Sequence, residues 1–264
     1  MSEHMTDELI LAEAAAALAG ARRILFITGA GLSADSGLPT YRGLGGLYHD
    51  RLTAEGLTIE QALSGHTLAR RPDITWKYLA EIEANCRGAQ PNAAHRLIAA
   101  LEQEKDAVWV LTQNIDGLHR AAGSQRLIEI HGTIHRLRCT ACDHRREVTD
   151  FAGLELPPAC PRCGGLLRPD VVLFGERLSA REIDRLEHLL EAGLDLVVSI
   201  GTTSVFPYIA GPVMWAAQLG IPTIEINPGD TEVSRYVDLR LRMRAAEALP
   251  ELWRRMHPPE PAEG

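Results

Sequence analysis

Several short apolar runs in this chain end in the same way, and together they constrain its fold more than any other feature. "RILFIT" (23–28) runs into "GAGLSADSG", and "AVWVLT" (107–112) into "QNIDGLH". "LDLVVSI" (194–200) runs into "GTTSVFP", and "IPTIEI" (221–226) into "NPGD". Each is rich in β-branched residues, free of charge over most of its length, and stops at small or polar residues. Continuous apolar strands of this kind sit in parallel sheets covered on both faces. Between them lie helical patterns at 91–104 and 179–193, the second with Ile183, Leu186, Leu189 and Leu190 on one face and Gly193 as its cap. An acidic first helix closes near Gly20. Strands alternating with helices make an α/β fold, an open, doubly wound parallel sheet that binds ligands beyond the carboxyl ends of its strands. All the polar loops converge there, as in a nucleotide-binding fold.

The stretch 132–170 breaks this rhythm. It carries two CxxC pairs, few long apolar runs and a Pro-Pro turn, and reads as a small inserted module. Residues 38–90 are also irregular and read as a loop-rich or helical lobe over the site. Hydrophobic content of 45% with 23% charged residues belongs to a globular chain with a sizeable core. No apolar run approaches the roughly 18 residues a membrane span needs. The N-terminus lacks the basic cluster of a secretory signal, so a cytoplasmic location is expected. There structural disulfides are disfavoured. A net charge of −8 argues against nucleic acid as the main partner.

Gly29-Ala30-Gly31-Leu32-Ser33-Ala34 fits G-x-G-x-x-G/A directly after a strand. Such glycines let the backbone approach a pyrophosphate, although a tight strand-to-helix turn with no ligand has the same appearance. The acidic ribose ligand of an ordinary dehydrogenase is not evident downstream. Cys139-x2-Cys142-x17-Cys160-x2-Cys163 is the spacing of a tetrahedral zinc site; two disulfides or four unligated thiols are the alternatives. With four sulfur ligands no position is open to substrate, so the zinc is expected to be structural. The remaining Cys86 reads as a small buried residue rather than a nucleophile. His131, at the end of the β-like run "RLIEI", fits both a satisfied structural residue and a general base. Asn114 and Asp116 could equally cap their turn.

Together these motifs resemble the sirtuin family of NAD-dependent protein deacylases, in its bacterial type. The matching segments are "GAGLSADSGLPTYRG" (29–43), "TQNIDGLH" (112–119), "EIHG" (129–132), the four cysteines, "RPDVVLFGE" (168–176), "GTTSVFP" (201–207) and "EIN" (225–227), in the family's order. The resemblance implies a single catalytic domain with a Rossmann-like large lobe (about 5–37, 91–131 and 171–256). A small lobe (about 38–90 and the zinc ribbon 132–170) and a frayed tail (257–264) complete it. NAD+ is then a consumed co-substrate, one zinc ion is structural, and acyl-lysine-bearing proteins are the partners. By the same resemblance Gly29, Ala30, Gly31 and Ser33 hold the pyrophosphate, and Asp35, Pro39, Tyr41 and Arg42 belong to the cofactor loop. Gln113, Asn114, Ile115 and Asp116 line the nicotinamide and ribose pocket. Gly201, Thr202, Ser204 and Asn227 meet the phosphate and adenosine ribose. Val172, Phe174 and Gly175 form the edge that pairs with a substrate backbone. His131 is the base, and Asn114 is carried over with it as catalytic.

Two departures bear on activity. Tyr41 stands where most members have Phe. Members that prefer succinyl or malonyl groups carry Tyr-x-x-Arg on the next helix, and the matching positions here are Leu79 and Ile82, or Tyr78 and Glu81 if the register shifts by one. Neither pair supplies a cation, so acetyl or longer neutral acyl groups are expected. The alternative function is a sirtuin-like NAD hydrolase or mono-ADP-ribosyltransferase.

Overall fold

In the run Arg23–Thr28, alternate residues face opposite ways: Ile24 and Phe26 enter one core, Leu25 and Ile27 another. A strand covered on both faces must be apolar throughout, which is why this run carries no alternation. The computed structural model describes residues 7–40 and 52–259, so Tyr41 and Arg42 of the expected cofactor loop lie outside the described residues.

The first elements are α1 (Asp7–Gly20), β1 (Arg23–Thr28), α2 (Ala30–Ala34), α3 (Ile59–Ala62), α4 (Gly65–Arg70) and α5 (Pro72–Cys86). Next come α6 (Ala93–Glu104), β2 (Ala107–Thr112), α7 (Leu118–Ala122), β3 (Leu127–Glu129), β4 (Gly132–Cys139), β5 (Arg145–Glu147) and β6 (Leu167–Val171). The chain continues through α8 (Ala180–Glu191), β7 (Leu196–Ile200), α9 (Pro207–Gln218), β8 (Thr223–Ile226), β9 (Leu239–Leu241) and α10 (Ala245–Met256).

Six strands form one sheet in the order β3-β2-β1-β7-β8-β9, every pairing parallel. The chain leaves the centre in both directions, so the loops after β1 and β7 part there and leave a crevice at the topological switch point. Helices α1, α6 and α10 pack on one face, and α8 and α9 on the other.

A second sheet, β5-β4-β6, is antiparallel. It shares a core of its own with α3, α4 and α5, in which Trp76 is fully buried and donates from Nε1 to the Leu167 carbonyl at 3.0 Å. Val171 and Leu173 pack in this core, at the edge of the stretch assigned above to the large lobe. His257, at the start of the expected tail, is held against Trp253 and Glu104. No helix among the described residues is long and apolar enough to cross a membrane.

Candidate functional site

The glycine loop after β1 and the loop after β7 touch through their backbones. A β-carbon on Gly31 would lie 2.7 Å from the Gly201 Cα, and one on Gly201 only 2.4 Å from the Leu32 nitrogen. Gly31 N–H donates to the Gly201 carbonyl at 2.8 Å. Part of the glycine signature therefore serves this contact, which closes the floor of a cleft of about 870 Å³.

Gly29, Ala30, Gly31, Asp35, Gln113, Asn114, Ile115, His131, Gly201, Thr202 and Asn227 line that cleft. Ser33, Pro39 and Asp116 line a smaller adjoining pocket, together with Cys86. Burial, with help from Asp116 and Glu83, pushes the Cys86 thiol up to about 12, so it stays protonated and is no nucleophile. Ser204 stands apart. It is 1% exposed, holds a φ of 55°, lines neither pocket, and its Oγ finds no partner among the described residues.

The polar side chains brace one loop against another. Asn114 donates from Nδ2 to the Gly29 carbonyl at 3.0 Å and to Ser33 Oγ at 3.1 Å. Ser33 in turn donates to Asp116 at 2.7 Å, while burial raises the Asp116 carboxyl above its ordinary range. Gln113 Nε2 reaches Thr202 Oγ1 at 2.8 Å, and Asn227 Nδ2 reaches the Thr202 carbonyl at 3.1 Å. Asp35 is held by Arg244 and the Ala246 N–H at the start of α10.

His131 stands between the two sheets, just before β4. Its Nδ1 lies 3.0 Å from the Gln113 carbonyl, which can only accept, so Nδ1 carries the hydrogen. The other nitrogen, Nε2, is left as an acceptor and receives the Tyr208 hydroxyl at 2.8 Å. Burial lowers the imidazole's pKa, against the opposing pull of the Gln113 carbonyl. A neutral imidazole whose Nε2 carries no proton is a competent base near neutral pH once a substrate hydroxyl takes the place of the Tyr208 hydroxyl.

Val172, Phe174 and Gly175 line the same cleft. Phe174 is already paired inside the chain: its N–H donates to the Leu63 carbonyl at 3.0 Å and its carbonyl accepts from Gly65 at 3.1 Å. An added strand would have to use its neighbours. Leu63, Leu79 and Ile82 make an apolar wall beside it. Phe206 and Tyr208 also line the cleft; sequence reasoning passed over Tyr208, although it directly follows the "GTTSVFP" segment.

The four sulfurs of Cys139, Cys142, Cys160 and Cys163 lie within 4.8 Å of one another, with separations of 3.5 Å for Cys139–Cys163 and 3.8 Å for Cys142–Cys160. A tetrahedron with bonds of ~2.3 Å has edges of about 3.8 Å, so the set fits zinc and excludes disulfides. The Ala141 N–H, 3.3 Å from Cys139 Sγ, favours the thiolate a metal needs. The cleft likewise fits a dinucleotide in size and in its run from polar strand-end loops to an apolar wall.

Residues 29–207, well over half of the chain, match the Sir2 family. This chain belongs to the Sir2 family. A relative from Pseudomonas aeruginosa, named NAD-dependent protein deacylase 2, is 53% identical over 92% of this chain and 95% of its own. A protein of the same name from Pseudomonas syringae pv. tomato is 53% identical over 91% of this chain and 98% of its own. Solved Sir2 structures superpose on nearly the whole fold. A Sir2 homolog–NAD complex gives a TM-score of 0.83 at 35% identity, covering 96% of this chain and 94% of that one. A complex described as Sir2–p53 peptide–NAD+ gives 0.78 at 28%, covering 91% and 95%.

Proposed function

We infer that this Sir2-family chain is an NAD-dependent protein lysine deacylase, giving nicotinamide, the free lysine and an O-acyl-ADP-ribose. The observation that carries the reading is His131. Its neutral, acceptor-ready Nε2 faces a cleft walled on one side by strand-end loops and on the other by apolar residues.

When bound, NAD+ supplies a ribose carbon that becomes electrophilic as nicotinamide leaves. Gln113, Asn114, Ile115 and Asp116 surround the reacting end, with Asn114 keeping the glycine loop in place through its two amide contacts. The loop residues Gly29, Ala30, Gly31, Gly201 and Thr202 would take the pyrophosphate. The Asn227 side chain and the strand-end backbone would take the adenosine ribose. The amide oxygen of an acyl-lysine is a weak nucleophile, so this wall's task is to hold it close and in line. His131 then accepts a ribose hydroxyl proton at Nε2, which lets that oxygen attack the acyl carbon. Ile115 and Phe174 keep water from the ribose carbon so that the amide oxygen bonds there instead, and one water is consumed afterwards, when the lysine amine leaves the acyl carbon.

With Phe174 engaged by Leu63 and Gly65 and the Val172 N–H held by the His131 carbonyl, a peptide strand would pair with the Gly175 backbone and the Val172 carbonyl. The acyl chain would lie against Leu63, Leu79 and Ile82, which suits acetyl and longer neutral groups. The zinc ribbon fixes the small lobe and takes no part in the chemistry. The chain works in the cytoplasm, where reduced thiols suit a zinc site built from four cysteines. The lobes expected above, with the cleft between them, are the units this reading uses.

The test is nicotinamide release by the pure protein, with and without an acetyl-lysine peptide, while the peptide's mass is followed. Peptide-dependent release with matching loss of acetyl is expected. Release without peptide would instead mark an NAD hydrolase or ADP-ribosyltransferase.

A further inference from the structure

An imidazole nitrogen has one lone pair, so Nε2 of His131 accepts one strong hydrogen bond at a time. Here the Tyr208 hydroxyl holds that place at 2.8 Å. The phenol is firmly seated. Tyr208 is the second residue of α9, and its ring stacks on Phe206 with centroids 5.3 Å apart and planes inclined by 11°. Both rings meet His131 edge-on, at 6.1 Å for Phe206 and 5.8 Å for Tyr208.

We propose that Tyr208 is a positioning residue for His131. The Gln113 carbonyl sets the Nδ1–H tautomer. The Tyr208 hydroxyl reinforces it by donating to Nε2, holds that nitrogen as an acceptor while the cleft is empty, and yields the place to the hydroxyl whose proton Nε2 takes. The proposal rests on the reading of His131 as the base.

A bond donated to Nε2 exists only while that nitrogen is unprotonated, so it disfavours the imidazolium form. It acts in the same direction as burial and against the Gln113 carbonyl, which favours the cation. Among the described residues no charged side chain faces the ring. The Gln113 carbonyl meets it from the loop after β2, and Phe206 and the Tyr208 phenol from the start of α9. Of these only the phenol is titratable. A ribose hydroxyl is chemically like a phenol in the one respect that matters here, being an O–H donor to Nε2. One donor can therefore replace the other without Nε2 being left bare.

The test is a 15N and 13C NMR titration of the histidines in the unliganded full-length protein, with His131 assigned through His131→Gln. Tyr208→Phe keeps the stacked ring and removes the hydroxyl. The His131 midpoint should rise by about half a pH unit or more, and the acid limb of kcat/KM should move the same way. Identical midpoints in the two proteins would overturn the proposal. Should Tyr208→Phe not fold, the wild-type 15N pattern decides. A pure Nδ1–H tautomer with a hydrogen-bonded Nε2 supports the proposal, and an Nε2–H tautomer overturns it. Peptide-dependent turnover by His131→Ala would remove the base reading instead, and would leave the titration result standing.

Discussion

A β-carbon on Gly132 would stand 1.9 Å from the carbonyl oxygen of Asp170. The two residues lie at the first pairs of β4 with β6, and Gly132 holds a φ of 78° that L side chains rarely adopt. His131 comes immediately before, its carbonyl accepting the Val172 N–H at 2.9 Å. The close approach therefore decides where the imidazole stands. Gly132→Ala should lose at least about 1–3 kcal/mol from the backbone conformation alone. Turnover measured well below the unfolding transition should fall by about tenfold or more, as expected when reacting groups shift by about 1 Å. Wild-type turnover in a merely less stable Gly132→Ala protein would break this link.

Much of the molecule is legible in its sequence. The runs 23–28 and 107–112 coincide with β1 and β2 because strands buried on both faces leave an unbroken apolar record. The four cysteines were legible because metal ligation demands residue type and spacing together. Strand β9 escaped notice: three residues at the sheet's edge, Leu239, Arg240 and Leu241, are too few to show a period. Leu79 and Ile82 were reached through the Tyr-x-x-Arg spacing of the resemblance, whereas Tyr208 and Leu63 were beyond reading as site residues, since they come from separate elements and leave no spacing rule. Gly31 was legible as a close-approach glycine, but the approach includes Gly201 of the same chain, a partner that only the folded sheet reveals.

Arg168 and Glu176 close the ends of the segment that carries Val172 to Gly175. Arg168 is 3% exposed and donates to Glu176 at 2.5 and 2.9 Å and to the Val171 carbonyl at 2.7 Å. Glu176 also accepts the Leu173 N–H at 2.9 Å. Burial opposes the Glu176 charge, yet the Arg168 and Leu173 contacts hold its pKa below the ordinary range. Glu176→Gln strands a buried guanidinium and should cost about 2–3 kcal/mol, less than a fully buried pair because Glu176 is partly exposed. Peptide KM should rise more than NAD+ KM if, as proposed, the loosened segment is the one that pairs with the peptide. Equal rises in both would argue against that placement.

Acid should destabilise the protein through two buried imidazoles. Burial, with its histidine neighbour, lowers His119 to about 3, and burial with Arg96 lowers His95 to about 4. The unfolded chain protonates both near 6.5, so it binds more protons than the folded state below that pH. Their stabilising effect is complete above about pH 6.5 and is lost as pH falls toward the folded values. By pH 5 the loss should be about 2 kcal/mol per imidazole. Urea midpoints of the wild type and His119→Gln at pH 7.5, 6.5 and 5.5 provide the check. The variant should show the shallower pH dependence, whatever its stability at pH 7.5, and parallel curves would refute the assignment.

Zinc removal should act on the small lobe first. Cys139 and Cys160 belong to the same buried cluster as Trp76 and Phe151, whose rings meet at 5.3 Å. A strong chelator, or Cys142→Ser, should expose Trp76, red-shift part of the emission and abolish turnover while most far-UV helical signal persists. Returning zinc to chelated wild type should restore all three. Full activity in protein shown by elemental analysis to hold no zinc would sink the structural role.

Acyl selectivity should follow the wall formed by α5. Leu79 and Ile82 face the cleft, and among the described residues that line it the one Lys or Arg is Arg244, already paired with Asp35 at 3.0 Å. A succinyl carboxylate brought against this wall would lose its hydration with no cation in return, a loss large enough to decide specificity. Wild-type protein should therefore process acetyl-lysine and longer neutral acyl-lysines at least about tenfold faster than succinyl-lysine. Placing the missing pair on the helix, Leu79→Tyr with Ile82→Arg, should raise the succinyl-to-acetyl ratio of kcat/KM by at least a similar factor, chiefly by depressing acetyl turnover and lowering the succinyl KM. If the double variant folds and the ratio stays put, the acyl chain lies against some other part of the cleft.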